Sequence, residues 1–288
     1  MNPEPNWTGC SSQAQPSLTE LHGAESRPNG PRVMVFIDGE NFLSSIRWLY
    51  RAEFHRGDYL PRNASWGWFF SKIAQELNAR EFSVRWYVIN ELDYHPHADW
   101  VHDSWETLME KIRDEAIQEE LKRKTTAKGK QRTIEWYRKV CRENRELMQR
   151  RLAEWHAMQD KISEEHPFVR FHRPGWQPCF LLDPERKLGR EKGVDIGLAV
   201  DLIHHLPDYD LAILFSGDGD YVPAIKIAQA AGKKIALMEF EFRNGDPLRS
   251  ISRRLKALSD ITINVPFGDL AAFLGIELGE DDVPPVVR

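Results

Sequence analysis

Val33-Met34-Val35-Phe36-Ile37-Asp38-Gly39-Glu40-Asn41 is the stretch that decides the fold. An unbroken apolar run ends abruptly in carboxylates. A strand buried on both faces reads as such a run, and in parallel α/β sheets ligands gather at strand C-termini. Leu211-Ala212-Ile213-Leu214-Phe215-Ser216-Gly217-Asp218-Gly219-Asp220-Tyr221 repeats the pattern. Between them, Lys192-Gly193-Val194-Asp195-Ile196-Gly197-Leu198-Ala199-Val200-Asp201 adds two aspartates on an apolar, helix-like stretch. Carboxylates collected at one sheet edge repel each other unless a cation neutralises them. An oxygen-only donor set points to Mg²⁺ or Mn²⁺ rather than zinc.

Outward from these segments the chain alternates. Strands are expected at about 32–38, 82–89, 211–215, 234–240 and 261–265. Phe168 to Phe171 resumes the core, Arg173-Pro174-Gly175 reads as a turn, and 178–182 as a short return strand. Helices are expected from Asn41, from Ser65 as N-cap, over about 194–205, after Pro223, and around 247–258. Trp48, Trp66, Trp68, Trp86 and Phe69 read as core, and Trp176 as a candidate for stacking on an exposed base. Strands alternating with helices imply a mostly parallel sheet covered on both faces.

Residues 92–166 break the rhythm. Trp105, Leu108, Met109, Ile112, Ala116 and Leu121 make one helical stripe. Ile134, Cys141, Met148, Trp155 and Ile162 recur every seven residues, as in a coiled coil. Between the stripes, Lys122, Arg123, Lys124, Lys128, Lys130 and Arg132 stand without an acid. The expected structure is an antiparallel helical hairpin with a basic tip, a candidate for RNA binding or, more blandly, a solvated loop. His95, His97 and His102 with Asp99 and Asp103 lack a recognised ligand spacing and read as a polar stretch.

Composition narrows the classes. The chain has 288 residues, a net charge of −5 and 41% hydrophobic residues, enough for a sizeable core. A nucleic-acid partner must therefore use local patches, not a global basic field. Three cysteines, Cys10, Cys141 and Cys179, lack zinc-like spacing and fit a reducing compartment, so a cytoplasmic protein is expected. Neither a signal peptide nor a membrane span is expected.

Phe36-Ile37-Asp38-Gly39-Glu40-Asn41, Lys192-Gly193-Val194-Asp195 with Asp201, and Ser216-Gly217-Asp218-Gly219-Asp220-Tyr221, in this order, resemble the NYN domain family. The similarity is to its LabA-like branch, within the PIN-like nuclease superfamily. Ala230 to Ile235 and Leu258 to Ile261 match more weakly. The resemblance implies an α/β, PIN-like three-layer fold over 31–91 and 167–269. The helical-hairpin insertion would then fill 92–166, with a flexible tail over 1–30 and a second tail over 270–288.

It further implies a metal-dependent ribonuclease, an endonuclease using Mg²⁺ or Mn²⁺ on single-stranded or structured RNA. Asp38, Asp195, Asp218 and Asp220 would be the catalytic and metal-binding set. Asn41 and Ser216 would orient ligands or substrate, and Lys192 would face the phosphate or be a solvated loop lysine. Asp201 lies six residues beyond Asp195, some 120° around a helix, and takes a structural or outer-sphere role. Glu40 points elsewhere on this reading. The alternatives are capping or turn aspartates, a non-catalytic RNA-binding or protein-interaction module with a structural metal, and a homo-oligomer or partner docked through 92–166.

Overall fold

The computed structural model describes residues 29–50, 64–96, 104–112, 114–124, 126–183, 188–248 and 251–276, with Lys124 and Ala127 described for their backbone alone. Most of the expected N-terminal tail, and His97, Asp99, His102 and Asp103, lie outside the described residues. So does everything beyond 276. Six strands are present: β1 (Arg32–Asp38), β2 (Glu81–His95), β3 (Val169–Phe180), β4 (Leu211–Phe215), β5 (Lys234–Phe240) and β6 (Ile261–Val265). They form one sheet in the order β3-β2-β1-β4-β5-β6, every neighbouring pair parallel.

Helices cover both faces because the strands are apolar on both. Val33, Val35 and Ile37 pack into one core with Phe42 and Ile46 of α1 (Gly39–Leu49), Phe69 and Phe70 of α2 (Trp66–Glu76), and a C-terminal helix. Met34 and Phe36 pack into a second core. There they meet Leu198 and Leu202, then Ala224 and Ile225, then Leu255, from three helices that follow β3, β4 and β5. The chain winds outward from β1 to β3, then returns to β4 on the other side of β1. In doubly wound sheets a ligand crevice opens at the strand C-termini where the order reverses. Here that point lies between Asp38, ending β1, and Ser216, following β4.

Several expectations need correction. β3 runs unbroken through Arg173-Pro174-Gly175, which was expected to turn. Pro174 has no N–H for the ladder, and the pairing with β2 shifts register beside it, so the strand bulges instead of reversing. β2 accordingly continues to His95, well past the expected end at 89. The helix expected around 247–258 is shorter, Arg253–Lys256. The C-terminal helix, Phe267–Leu274, occupies part of the expected tail, since Leu270 and Phe273 are fully buried. Trp66, Trp86 and Phe69 are core as expected, but Trp48 is 48% exposed.

The insertion is not a simple hairpin. It contains α3 (Trp105–Lys111), α4 (Glu115–Lys124) and α5 (Ala127–Glu165). α3 and α4 pack Leu108, Ile112, Ile117 and Leu121 on Ile134 and Tyr137 of α5. The seven-residue stripe of α5 then continues without a partner helix. Cys141, Met148, Leu152 and Trp155 join one core, and Met158 and Ile162 join the other. These cores lie on opposite faces, so α5, 39 residues and about 58 Å long, crosses the β3 edge of the sheet. Its heptad spacing is satisfied by that edge. The basic residues sit at the end of α4 and the start of α5, with Thr126 capping α5 between them, and not in an open loop.

Candidate metal and active site

Asp38 is the centre of the site, and its local chemistry explains its position. It leaves β1 in an extended conformation and caps α1, accepting the Asn41 backbone N–H on Oδ1 at 3.0 Å. The Asn41 amide donates to Oδ2 at 2.5 Å, and the Ser216 hydroxyl donates to the same oxygen at 3.2 Å. Gly39 permits this tight exit, because a Cβ there would meet Tyr87 O at 2.6 Å. Asp38 is 1% exposed. Burial raises its carboxyl pKa, Asn41 and Ser216 oppose the rise, and the Asp195 charge adds to it.

Tyr221 joins the second carboxylate. Its buried hydroxyl lies 3.1 Å from Asp195 Oδ1 and 3.3 Å from Asp38 Oδ2. Burial and then the charges of Asp38 and Asp195 push the phenol pKa up, so it stays a donor. Asp195 comes from the first turn of α6 (Val194–His204). The β3 bulge seats that turn: a Cβ on Gly175 would fall 2.3 Å from Val194 Cγ2, and one on Gly197 would fall 2.3 Å from Pro174 Cγ. Trp176 and Lys192 clamp the approach with paired backbone hydrogen bonds of 2.9 and 2.8 Å.

The other expected residues are placed as follows. Asp218 turns its Oδ1 onto the Asp220 backbone N–H at 3.0 Å, capping the 3₁₀ turn Gly219–Tyr221 that leads into α7 (Val222–Ala230). Asp220 and Lys192 are exposed. Asp201 lies apart from the cluster. It accepts from Arg85 and the Tyr87 hydroxyl, both at 2.8 Å, with His172 at 3.8 Å. Burial opposes the lowering of its pKa, and the Arg85 and Tyr87 hydrogen bonds bring it about. In the basic segment, Lys122 pairs with Glu119 at 3.2 Å and Lys130 sits over the Trp105 ring at 5.2 Å. Arg123, Lys128 and Arg132 are exposed, while the Lys124 side chain is outside the described residues.

Two further acids feel the charge of Asp38. Burial, followed by that charge, raises the Glu40 pKa, while the residue as a whole is exposed on α1. Glu191 was not singled out. Burial, then Glu40, Asp38 and Asp195, push its pKa up to about 9. Only its place just before the Lys192-Gly193-Val194-Asp195 motif could have marked it.

Burial and neighbouring negative charge make Asp38, Glu40 and Glu191 harder to ionise, with the Asp195 charge acting on all three; such oxygen donors suit a hard divalent cation. Their positions are not drawn to a common point. Among the described residues no group of three or more His, Cys, Asp and Glu side chains is arranged to hold an ion. Asp38, Asp195, Glu40 and Glu191 are the residues that would hold one.

A solved structure of a protein of unknown function from Vibrio parahaemolyticus is similar over 82% of this chain and 93% of that chain, at 18% identity and a TM-score of 0.41. No curated protein matches the chain. The parallel six-stranded sheet between two helical layers is consistent with a PIN-like NYN fold. The NYN domain family model matches residues 149–255, a stretch that holds Asp195, Asp201, Ser216, Asp218 and Asp220 while leaving Asp38 and Asn41 outside, so it is to an NYN domain that this half of the sheet is similar.

Proposed function

We propose that the chain is a metal-dependent nuclease of the PIN-like type that hydrolyses RNA phosphodiester bonds, cutting within the strand. The carrying observation is the group of four mutually repelling carboxylates, Asp38, Glu40, Glu191 and Asp195, at the reversal point of the sheet. NYN domains belong to the PIN-like nuclease superfamily, which supports a nuclease, and the preference for RNA rests on that resemblance.

A bound Mg²⁺ or Mn²⁺ supplies a water of lowered pKa and positive charge for the phosphoryl oxygens. The protein's part is positioning. Asn41 and Ser216 hold the Asp38 carboxylate, and the Tyr221 hydroxyl ties Asp38 to Asp195. Asp218 and Asp220, on the adjoining 3₁₀ turn, would add two more carboxylates to the set that holds the ion, and the exposed Lys192 would offer its charge to the scissile phosphate. Water attacks phosphorus as the bond to the 3′-oxygen breaks, leaving 5′-phosphate and 3′-hydroxyl ends.

A second reading has an observation behind it. Asp38 and Asp218 both act as backbone caps, and a capping role needs no reaction. On that reading the chain is a non-catalytic RNA-binding or protein-interaction module of NYN type. Labelled RNA incubated with Mn²⁺, with EDTA, and with Asp38→Asn protein separates the two. Cleavage confined to the wild type with metal supports the nuclease. Uncut RNA under every condition refutes it.

A further inference from the structure

α1 carries a second surface beside the acidic cluster. An open groove of about 290 Å³ is lined by Asn41, Ser44, Ser45, Trp48 and Leu248. Asn41, whose amide holds Asp38, stands at one end, and Trp48 lies seven residues further along the helix. That is about 10.5 Å of helix axis, roughly three stacked-base rises of 3.4 Å. The groove therefore continues from the carboxylates and is not a separate feature.

Its chemistry selects the occupant. Trp48 is 48% exposed, and its ring meets the Phe242 ring edge-on at 4.8 Å and 61°, so the indole plane is supported from the side. Ser44 is exposed, and Ser45 already donates to Asn41 O. Arg47 is exposed on the same helix, close enough for its charge to lower the Glu40 pKa. Among the described lining residues Asn41, Ser44 and Ser45 are polar and Trp48 and Leu248 apolar, a mixed surface. One supported aromatic plane with polar neighbours and a cation suits a flat, polar-edged ring joined to phosphates.

We propose that Trp48 is a stacking platform for one unpaired nucleobase of a single-stranded RNA whose backbone passes the Asp38 cluster. This rests on the nuclease reading above and adds a base subsite to it. The subsite is blind to base identity as far as stacking goes, since every base offers a π-face.

The test measures affinity in an Asp195→Asn protein with Mg²⁺, so that binding is read without turnover. The probes are fluorescent single-stranded oligoribonucleotides, intact and with one abasic residue walked along the strand. Stacking on an aromatic is worth about 1–3 kcal/mol per base, so Trp48→Ala should weaken intact RNA by about 5- to 150-fold. Trp48→Phe should keep most of the affinity and controls for folding. One abasic position should cost the parent a similar factor and leave Trp48→Ala unaffected. Equal affinity of parent and Trp48→Ala for every probe overturns the subsite, while cleavage by the wild type still upholds the nuclease. A Trp48→Ala loss with no matching abasic position also overturns it. RNA that neither binds nor is cut removes both readings together.

Discussion

Removing a single oxygen, in Tyr221→Phe, tests how the site is held together. The Tyr221 ring is 1% exposed, and phenylalanine fills the same volume, so the core is not opened. Two carboxylate oxygens compete for its proton, Asp195 Oδ1 at 3.1 Å and Asp38 Oδ2 at 3.3 Å. One proton makes one strong bond, and a hydrogen bond to a charged group contributes about 1.5–3 kcal/mol. For a domain of this size 1 kcal/mol shifts the melting point by about 2–4 °C, so the variant should melt roughly 3–12 °C lower in EDTA. Mn²⁺ between the carboxylates would take over part of the hydroxyl's work, so the gap should narrow at saturating metal. Cleavage should fall by about 10- to 100-fold, the cost of losing a group that orients ligands. Differential scanning calorimetry with EDTA and with Mn²⁺, beside single-turnover cleavage, reads all three. An unchanged melting point in EDTA would refute the bridge, and a gap that widens with Mn²⁺ would refute its relation to the metal.

Other consequences are as direct. Asp38→Asn should abolish cleavage and leave apo stability equal or slightly higher, since a buried charge with a raised pKa is removed; wild-type turnover in Mn²⁺ would sink the site. Asp195→Asn, Asp218→Asn and Asp220→Asn should each cost activity and Asp201→Asn less, because Asp201 is spent on Arg85 and Tyr87; equal losses at saturating Mg²⁺ would show Asp201 belongs inside. Glu191 has a folded pKa of about 9 against an ordinary 4.5, so the folded state holds its proton where the unfolded chain has lost it. Its ionisation therefore costs stability increasingly as pH rises from 4.5 to 9, and Glu191→Gln should gain up to about 3 kcal/mol at pH 7 and nothing near pH 4; denaturant melts across that range decide it, and a gain that grows towards acid would contradict the sign. Changing Lys122, Arg123, Lys124, Lys128, Lys130 and Arg132 to Gln should weaken binding of long RNA and flatten its salt dependence; identical salt slopes would remove this segment from the RNA path.

The strands next to the reversal point were readable because continuous apolar runs ended in Asp38 and Ser216, and their bounds follow the sequence closely. Asn41 and Ser216 were singled out through the family resemblance, and both donate to Asp38 Oδ2. Helix α1 begins at Gly39, so Asp38 closes a strand while Glu40 belongs to the first helical turn, a boundary the apolar run alone marks. Pro174-Gly175 has the composition of a turn, and only three-dimensional packing against Val194 and Gly197 distinguishes a bulge from a reversal. The heptad stripe of α5 was real, but sequence periodicity names a face and not its partner. Tyr221 and Glu191 become site residues through contacts and charges made across the fold, which no local pattern records.

The position of β4 has a temporal consequence. Ser216 meets Asp38 across 178 residues of chain. At a synthesis rate of about 5–20 residues per second, the first half of the site waits roughly 9–36 s on the ribosome for the second. During that interval β1 has β2 on one side and an unfilled, strongly apolar edge on the other. The nascent chain therefore carries an incomplete carboxylate centre while it is surrounded by messenger and ribosomal RNA, and its greatest exposure to wrong strand pairing falls in the same window.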